Sequence, residues 1–254
     1  MKFVLITEAS GGIGEALARE FAKRKKNLIL VARSQDKLEK ITVDLQKNFG
    51  IEIKFFAQDL SKLNSAEILF ASLKGLSIEA LINNAGFGLG GTFESQNLQL
   101  IEEMLLLNIM TLTKLTHLLI PKLKETNGTI LNVASTAAFQ PVPYLATYAA
   151  TKAYVLHWSE ALGAELKNDG VFVTALCPGA TETGFFKAAD LEKNSIPLPF
   201  QKVEDVVSTA MSAIDHKQPV AVSGWRNKVT VVSGKFVPRS WVVAVSEKLM
   251  RGQH

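Results

Sequence analysis

One cysteine, Cys177, stands among 254 residues. No internal disulfide is possible, and a reducing cytoplasm is the expected setting. Long apolar runs are missing too, since none approaches the length that spans a bilayer. The apolar opening, Met1 to Thr7, is interrupted by Glu8, too early for a secretion signal. The four histidines, His117, His157, His216 and His254, have no ligand spacing, so no metal centre is expected. No linker or low-complexity stretch divides the chain, which leaves one domain over 1–254 and no room for a second. A large excess of one charge is also lacking. The net charge is +4, and residues 223–254 hold six basic groups against the single acid Glu247, a local +5. The preceding 222 residues therefore sum to −1, which excludes nucleic-acid binding by the body on charge.

What is present is alternation. Strand-like runs (KFVLIT, NLILVA, IEIKFFA, EALIN, GTILNVAS, VFVTALC, PVAVSG) are separated by stretches of helical period. Continuous apolar runs such as NLILVA suit strands buried on both faces. The segment from Ser34 to Gly50 reads as a helix with Ser34 as cap and Gly50 as terminator. Further helices are expected near Ser61–Lys74, from about Asn97 to Lys124, from Tyr148 to Gly170, and over Val203–His216. The pattern predicts an α/β fold, a doubly wound parallel sheet of about seven strands with helices on both faces. Ligands of such sheets bind beyond the carboxyl ends of the strands, where strand order reverses.

Three features lie at such ends. TEASGGIG follows the first strand, and Ser10, Gly11, Gly12, Ile13 and Gly14 suit a loop whose backbone approaches phosphate at a helix N-terminus. In YAATK, Tyr148 and Lys152 lie one helical turn apart on one face. An ammonium beside a phenol favours the phenolate, so a lowered Tyr148 pKa and an acid–base role are expected. Ser135 follows its strand and precedes Tyr148 by thirteen residues, placing a hydroxyl within reach of the phenol over the crevice.

In sum, the arrangement resembles the short-chain dehydrogenase/reductase family from Lys2 to about Val222. TEASGGIG stands at its TGxxxGxG motif, Asn83 to Gly86 at NNAG, YAATK at YxxxK, and PGATET (Pro178, Gly179, Thr183) at PGxxxT. The resemblance implies a Rossmann fold and hydride transfer between a nicotinamide cofactor and a carbonyl or alcohol substrate. It assigns Tyr148 to proton transfer, Ser135 to holding the substrate oxygen, Lys152 to tuning the phenol and binding ribose, and Asn108 to supporting a water chain. Asp59 and Leu60 match the adenine position, and Asn84, Ala85, Gly86 and Thr181 join the implied cofactor contacts. A homodimer or homotetramer is implied as well.

Where NAD enzymes of the family carry an aspartate, this chain has Ala32 followed by Arg33. A guanidinium there can pair with a 2′-phosphate, so NADP(H) is preferred, with NAD as the second option. Glu8 replaces the first motif glycine. It is expected to cost about 1–2 kcal/mol if the position is left-handed. Three readings stay open for its carboxylate: it points to solvent, it takes a ribose hydroxyl, or it disables the site. The last leads to the alternative function, a nucleotide-binding sensor with impaired chemistry.

Phe139, Val142 and Leu145, with Phe185, Phe186, Ile196, Leu198 and Phe200 of a lid-like segment over about 184–202, suggest an apolar pocket and a hydrophobic ketone or aldehyde substrate. Packing against the sheet or a partner is the competing reading of these side chains. The tail from Val237 to Gly252 reads as an amphipathic helix. Capping the pocket, a subunit contact, peripheral membrane contact and a plain solvated basic face all remain open for it.

Overall fold

Seven apolar runs pair in parallel: β1 (Lys2–Thr7), β2 (Asn27–Ala32), β3 (Ile53–Ala57), β4 (Ser77–Asn83), β5 (Thr129–Val133), β6 (Phe172–Cys177) and β7 (Val220–Val222). The computed structural model describes residues 1–183 and 200–251. Strand order is β3-β2-β1-β4-β5-β6-β7, the doubly wound arrangement expected, with the reversal between β1 and β4.

Parallel pairing requires a crossover between successive strands, and the amphipathic stretches supply it. The helices are α1 (Gly12–Lys23), α2 (Gln35–Phe49), α3 (Ser65–Ser72), α4 (Leu98–Leu105), α5 (Leu112–Thr126), α6 (Ala146–Leu166), α7 (Val203–Asp215), α8 (Trp225–Gly234) and α9 (Arg239–Arg251). Strand side chains alternate between two cores. Val4, Ile6, Leu28 and Leu30 pack with α1, α2 and α7, whereas Phe3, Leu5, Ile29 and Val31 pack with α3, α5 and α6.

Gly50 ends α2 at φ 61, as its position suggested. Ser34 occupies the cap position of α2 but its side chain makes no capping hydrogen bond. The third helix starts four residues later than expected, after Asn64 at φ 60. The long helix is continuous from Leu98 to Thr126, but residues 106–111 widen into a π-helical turn that contains Asn108. By length and composition alone this 29-residue helix could cross a membrane, contrary to the reading of the runs. Its Leu112, Leu115, Leu119 and Leu123 are buried in the molecule's own cores, as in a core helix. The α8 helix was not anticipated.

Candidate active site

The β1 and β4 ends are laced together. The Thr7 hydroxyl accepts the N–H groups of Asn84 and Ala85 (each 3.0 Å) and donates to the Ile82 carbonyl (3.3 Å). Asn84 Nδ2 donates to the carbonyls of Thr7 (3.1 Å) and Glu8 (3.3 Å). A Cβ at Gly14 would collide with the Glu8 carbonyl oxygen and stand 2.6 Å from Asn84 Nδ2, so this glycine serves close packing of the loop. Glu8 is left-handed at φ 52, the strained conformation foreseen for it.

Above these ends lies a cavity of about 870 Å³. Of the residues expected from sequence, Ser10, Gly11, Gly12, Ile13, Arg33, Asp59, Leu60, Asn84, Gly86, Ser135, Tyr148, Lys152, Pro178, Gly179, Thr181 and Thr183 line it. Gly14, Ala85 and Asn108 stand behind the wall. One end is polar. Glu8, Ser10, Arg33, Ser34 and Lys37 surround an adjoining cleft of about 360 Å³. Lys37 was missed in the sequence, although it follows Arg33 by four residues and sits in the first turn of α2. Among the described residues Glu8 forms no ion pair with Arg33. Asp59 Oδ1 accepts the N–H (2.9 Å) and hydroxyl (2.7 Å) of Ser61. Burial works to raise the Asp59 pKa, yet these bonds and the Lys62 and Arg33 charges bring it below the usual carboxylate value.

At the centre, α6 carries Tyr148 and Lys152. Both are buried, and the Tyr148 hydroxyl shares a hydrogen bond with Ser135. The Ser135 hydroxyl also accepts Ala137 N–H at 3.1 Å, which fixes it at the head of a 3₁₀ turn over Thr136–Phe139. Lys152 Nζ donates to the Val133 carbonyl (2.7 Å) and lies 5.9 Å from the Tyr148 ring centroid.

The phenol is not depressed as expected. Burial pushes it up to about 12, against the lowering effect of the Ser135 bond, and pushes the Lys152 ammonium down to about 8. The phenol therefore holds its proton at neutral pH.

Asn108 braces the site from behind. Its Nδ2 donates to the Phe87 carbonyl (2.9 Å) and Thr151 Oγ1 (3.0 Å), and its Oδ1 accepts Phe87 N–H (3.1 Å). Thr151 in turn donates to the Tyr148 carbonyl (2.7 Å). A Cβ at Gly86 would stand 2.9 Å from Asn108 Oδ1 and 3.3 Å from Lys152 Nζ, so only glycine lets β4 and α6 close here.

The other end is less polar. Phe139, Val142 and Leu145 line it as expected, joined by Val231 of α8 and Leu249 and Met250 of α9. The tail thus caps the cavity. Gln140 Nε2 donates to Ser246 Oγ across a long 3.5 Å, and Arg251 shares a hydrogen bond with Tyr144. The expected lid lies outside the described residues over 184–199, and with it Phe185, Phe186, Ile196 and Leu198. Its flanks are pinned: Thr181 bridges Gln201, with Gln201 N–H to Ala180 O at 2.7 Å and Glu182 N–H to Gln201 O at 2.9 Å.

The residues fit a dinucleotide. Gly12 is left-handed at φ 55 beside the start of α1, where free N–H groups face the cavity wall. Gly11 is extended, and a Cβ there would meet no protein atom within 4 Å, so neither backbone nor packing demands a glycine. Close approach by a ligand does. Polar cleft, glycine turn and Ser–Tyr–Lys cluster in one crevice define an oxidoreductase site of the dinucleotide-binding class.

The comparisons agree and narrow the class. The short chain dehydrogenase family model matches residues 2–194, and the chain belongs to that family. It is 31% identical over 220 residues to a very-long-chain 3-oxoacyl-CoA reductase of Mus musculus, covering 84% of this chain and 68% of the relative. Among solved structures it is similar to a short-chain dehydrogenase from Sphingobium yanoikuyae in complex with NADPH (TM-score 0.85, 31% identity, 93% of each chain). It also resembles a bulky-bulky ketone specific alcohol dehydrogenase from Comamonas testosteroni (TM-score 0.78, 30% identity, 93% of this chain and 94% of that one).

Proposed function

We propose that this protein reduces the carbonyl of an apolar ketone or acyl compound, preferring NADPH. The observation that carries this reading is the Tyr148 hydroxyl, hydrogen-bonded to Ser135 and lining a cavity that runs from a basic cleft to an apolar end. When bound, NADPH supplies the hydride. The chain's tasks are the others. Ser135 and Tyr148 hold the carbonyl oxygen, and the phenol donates its proton to that oxygen as negative charge develops there. Lys152, anchored on the Val133 carbonyl, sets a positive charge beside the ring. Arg33 and Lys37 take the 2′-phosphate, and Asp59 with Leu60 borders the adenine.

The protonated form of the phenol is the one that donates in carbonyl reduction. The mouse relative, named as a 3-oxoacyl-CoA reductase, and the Comamonas enzyme, named for bulky ketones, support a carbonyl flanked by large apolar groups. A reducing cytoplasm and a homodimer or homotetramer belong to the same proposal, resting on the single cysteine and on family likeness. Glu8 lies at the cleft and leaves the Ser135, Tyr148 and Lys152 cluster intact, so the sensor alternative gains no support.

The test is NADPH oxidation over a panel of apolar ketones, 3-oxoacyl thioesters and sugars. Tyr148→Phe should lower kcat by roughly 10²- to 10⁴-fold while NADPH still binds. Cofactor binding without turnover by the unaltered protein on any carbonyl overturns the assignment.

A further inference from the structure

The tail helices carry apolar side chains on two sides: Val231, Leu249 and Met250 line the cavity, and a second apolar row faces outward. In α8 the outward positions Trp225, Val229 and Val232 follow one another at four and three residues, one face of a helix, and Phe236 continues the line. Trp225 is 70% exposed and Phe236 84%. In α9, Trp241 and Val245 repeat the pattern at 67% and 59% exposure. The positions turned to the cavity include the polar Asn227 and Thr230. A helix that only capped the pocket would not carry this outward apolar row.

The same helices are basic, and of their charges only Arg251 is paired, with Glu247. Lys228, Lys235, Arg239 and Lys248 form no ion pair among the described residues. What sets the tail apart is its lack of acid: residues 223–254 hold six basic groups against Glu247 alone, whereas the preceding 222 residues sum to −1. The geometry points to α8 and α9 as a docking face for an anionic phospholipid surface. Tryptophan and phenylalanine enter the headgroup boundary, and the lysines and Arg239 meet lipid phosphates. A second copy of the chain fits less well, because two faces that each carry the local +5 repel. Docking sets Val231, Leu249 and Met250 of the cavity wall beside the lipid, the side from which an apolar substrate arrives; this last point rests on the proposed reaction.

The experiment is flotation of the full chain with vesicles of phosphatidylcholine alone and with 30% phosphatidylserine (about 0.1 M and 0.5 M salt). The expected result is binding to the anionic vesicles, weakened by high salt. Lys228→Glu/Lys235→Glu/Lys248→Glu should weaken it by at least about tenfold, since each lysine near such a surface contributes measurably. Trp225→Ser/Phe236→Ser/Trp241→Ser should weaken it comparably at either salt. NADPH binding, read by fluorescence, should persist in both variants and shows that they fold. No flotation at low salt, or flotation that neither variant alters, overturns the inference. So does self-association of the unaltered chain that the aromatic variant abolishes without vesicles. None of these readouts uses turnover, so the inference fails separately from the proposed reaction.

Discussion

The two ends of the cavity are built by different means. At the nucleotide end the wall is backbone, held by Thr7 and Asn84 hydrogen bonds between adjacent strands and by a glycine that tolerates no Cβ. At the far end the wall is a set of side chains on a short 3₁₀ turn and two helices, held by a 3.5 Å Gln140–Ser246 contact and the Arg251–Tyr144 bond. A wall of backbone fixes one ligand chemistry, because moving it costs sheet and loop hydrogen bonds. A wall of tail side chains can change its occupant at little cost to the fold.

The comparison is sharpened most by disabling the polar cleft. On the proposed cofactor mode Arg33→Ala/Lys37→Ala removes two charge-assisted bonds to a 2′-phosphate, so NADPH affinity should fall by roughly 10²- to 10³-fold. NADH affinity and the apolar-substrate KM should barely change, as measured by fluorescence titration and initial rates. An equal loss for both cofactors would break the division of labour.

The centre answers to pH. Lys152 falls from 10.5 to about 8 on burial, so between these values the unfolded chain holds a proton that the folded chain has released. Lys152 alone therefore makes stability climb across that window, but Cys177, raised from 9.0 to about 12 by burial, lowers it above pH 9, so a net climb is expected between about pH 8 and 9. Tyr148, raised from 10.0 to about 12, should then lower stability as pH rises through that higher range. Urea unfolding of Lys152→Met should lose the climb and keep the later fall.

At the far end, Met250→Lys sets a charge in the cavity wall. It should lower kcat/KM for an apolar ketone about tenfold through desolvation of the ammonium, with NADPH affinity unchanged. The smallest effect belongs to Glu8→Gly. Relief of the left-handed glutamate should stabilise the fold by about 1 kcal/mol and modestly tighten NADPH binding. A thermal midpoint that does not rise would show that the glutamate carries contacts that offset its strain.

Legibility followed the same divide. Strands, the order reversal and most residues of the cavity lining were readable because buried backbone imposes residue types: Gly14 by collision, Gly12 by a positive φ, uninterrupted apolar runs by burial on both faces. Lys37 was not readable, since one lysine in a helix's first turn has no local mark. The phenol's pKa was misjudged because spacing places Lys152 near Tyr148 but says nothing of how deeply both are buried. The α8 helix escaped because it is ten residues long and rich in valine, threonine and glycine, weak helix formers that blur its period. Asn108 was found by motif, but its service as a brace depends on Thr151 and Phe87, which no short pattern joins.

The Thr181–Gln201 bridge has a consequence for how this scaffold diversifies. Entry and exit are fastened to each other by hydrogen bonds from Gln201 N–H to Ala180 O and from Glu182 N–H to Gln201 O, so β6 and α7 are tied together directly. A change in the chain between these two anchors would therefore leave β6 and α7 in register, the frame on which the cavity floor stands.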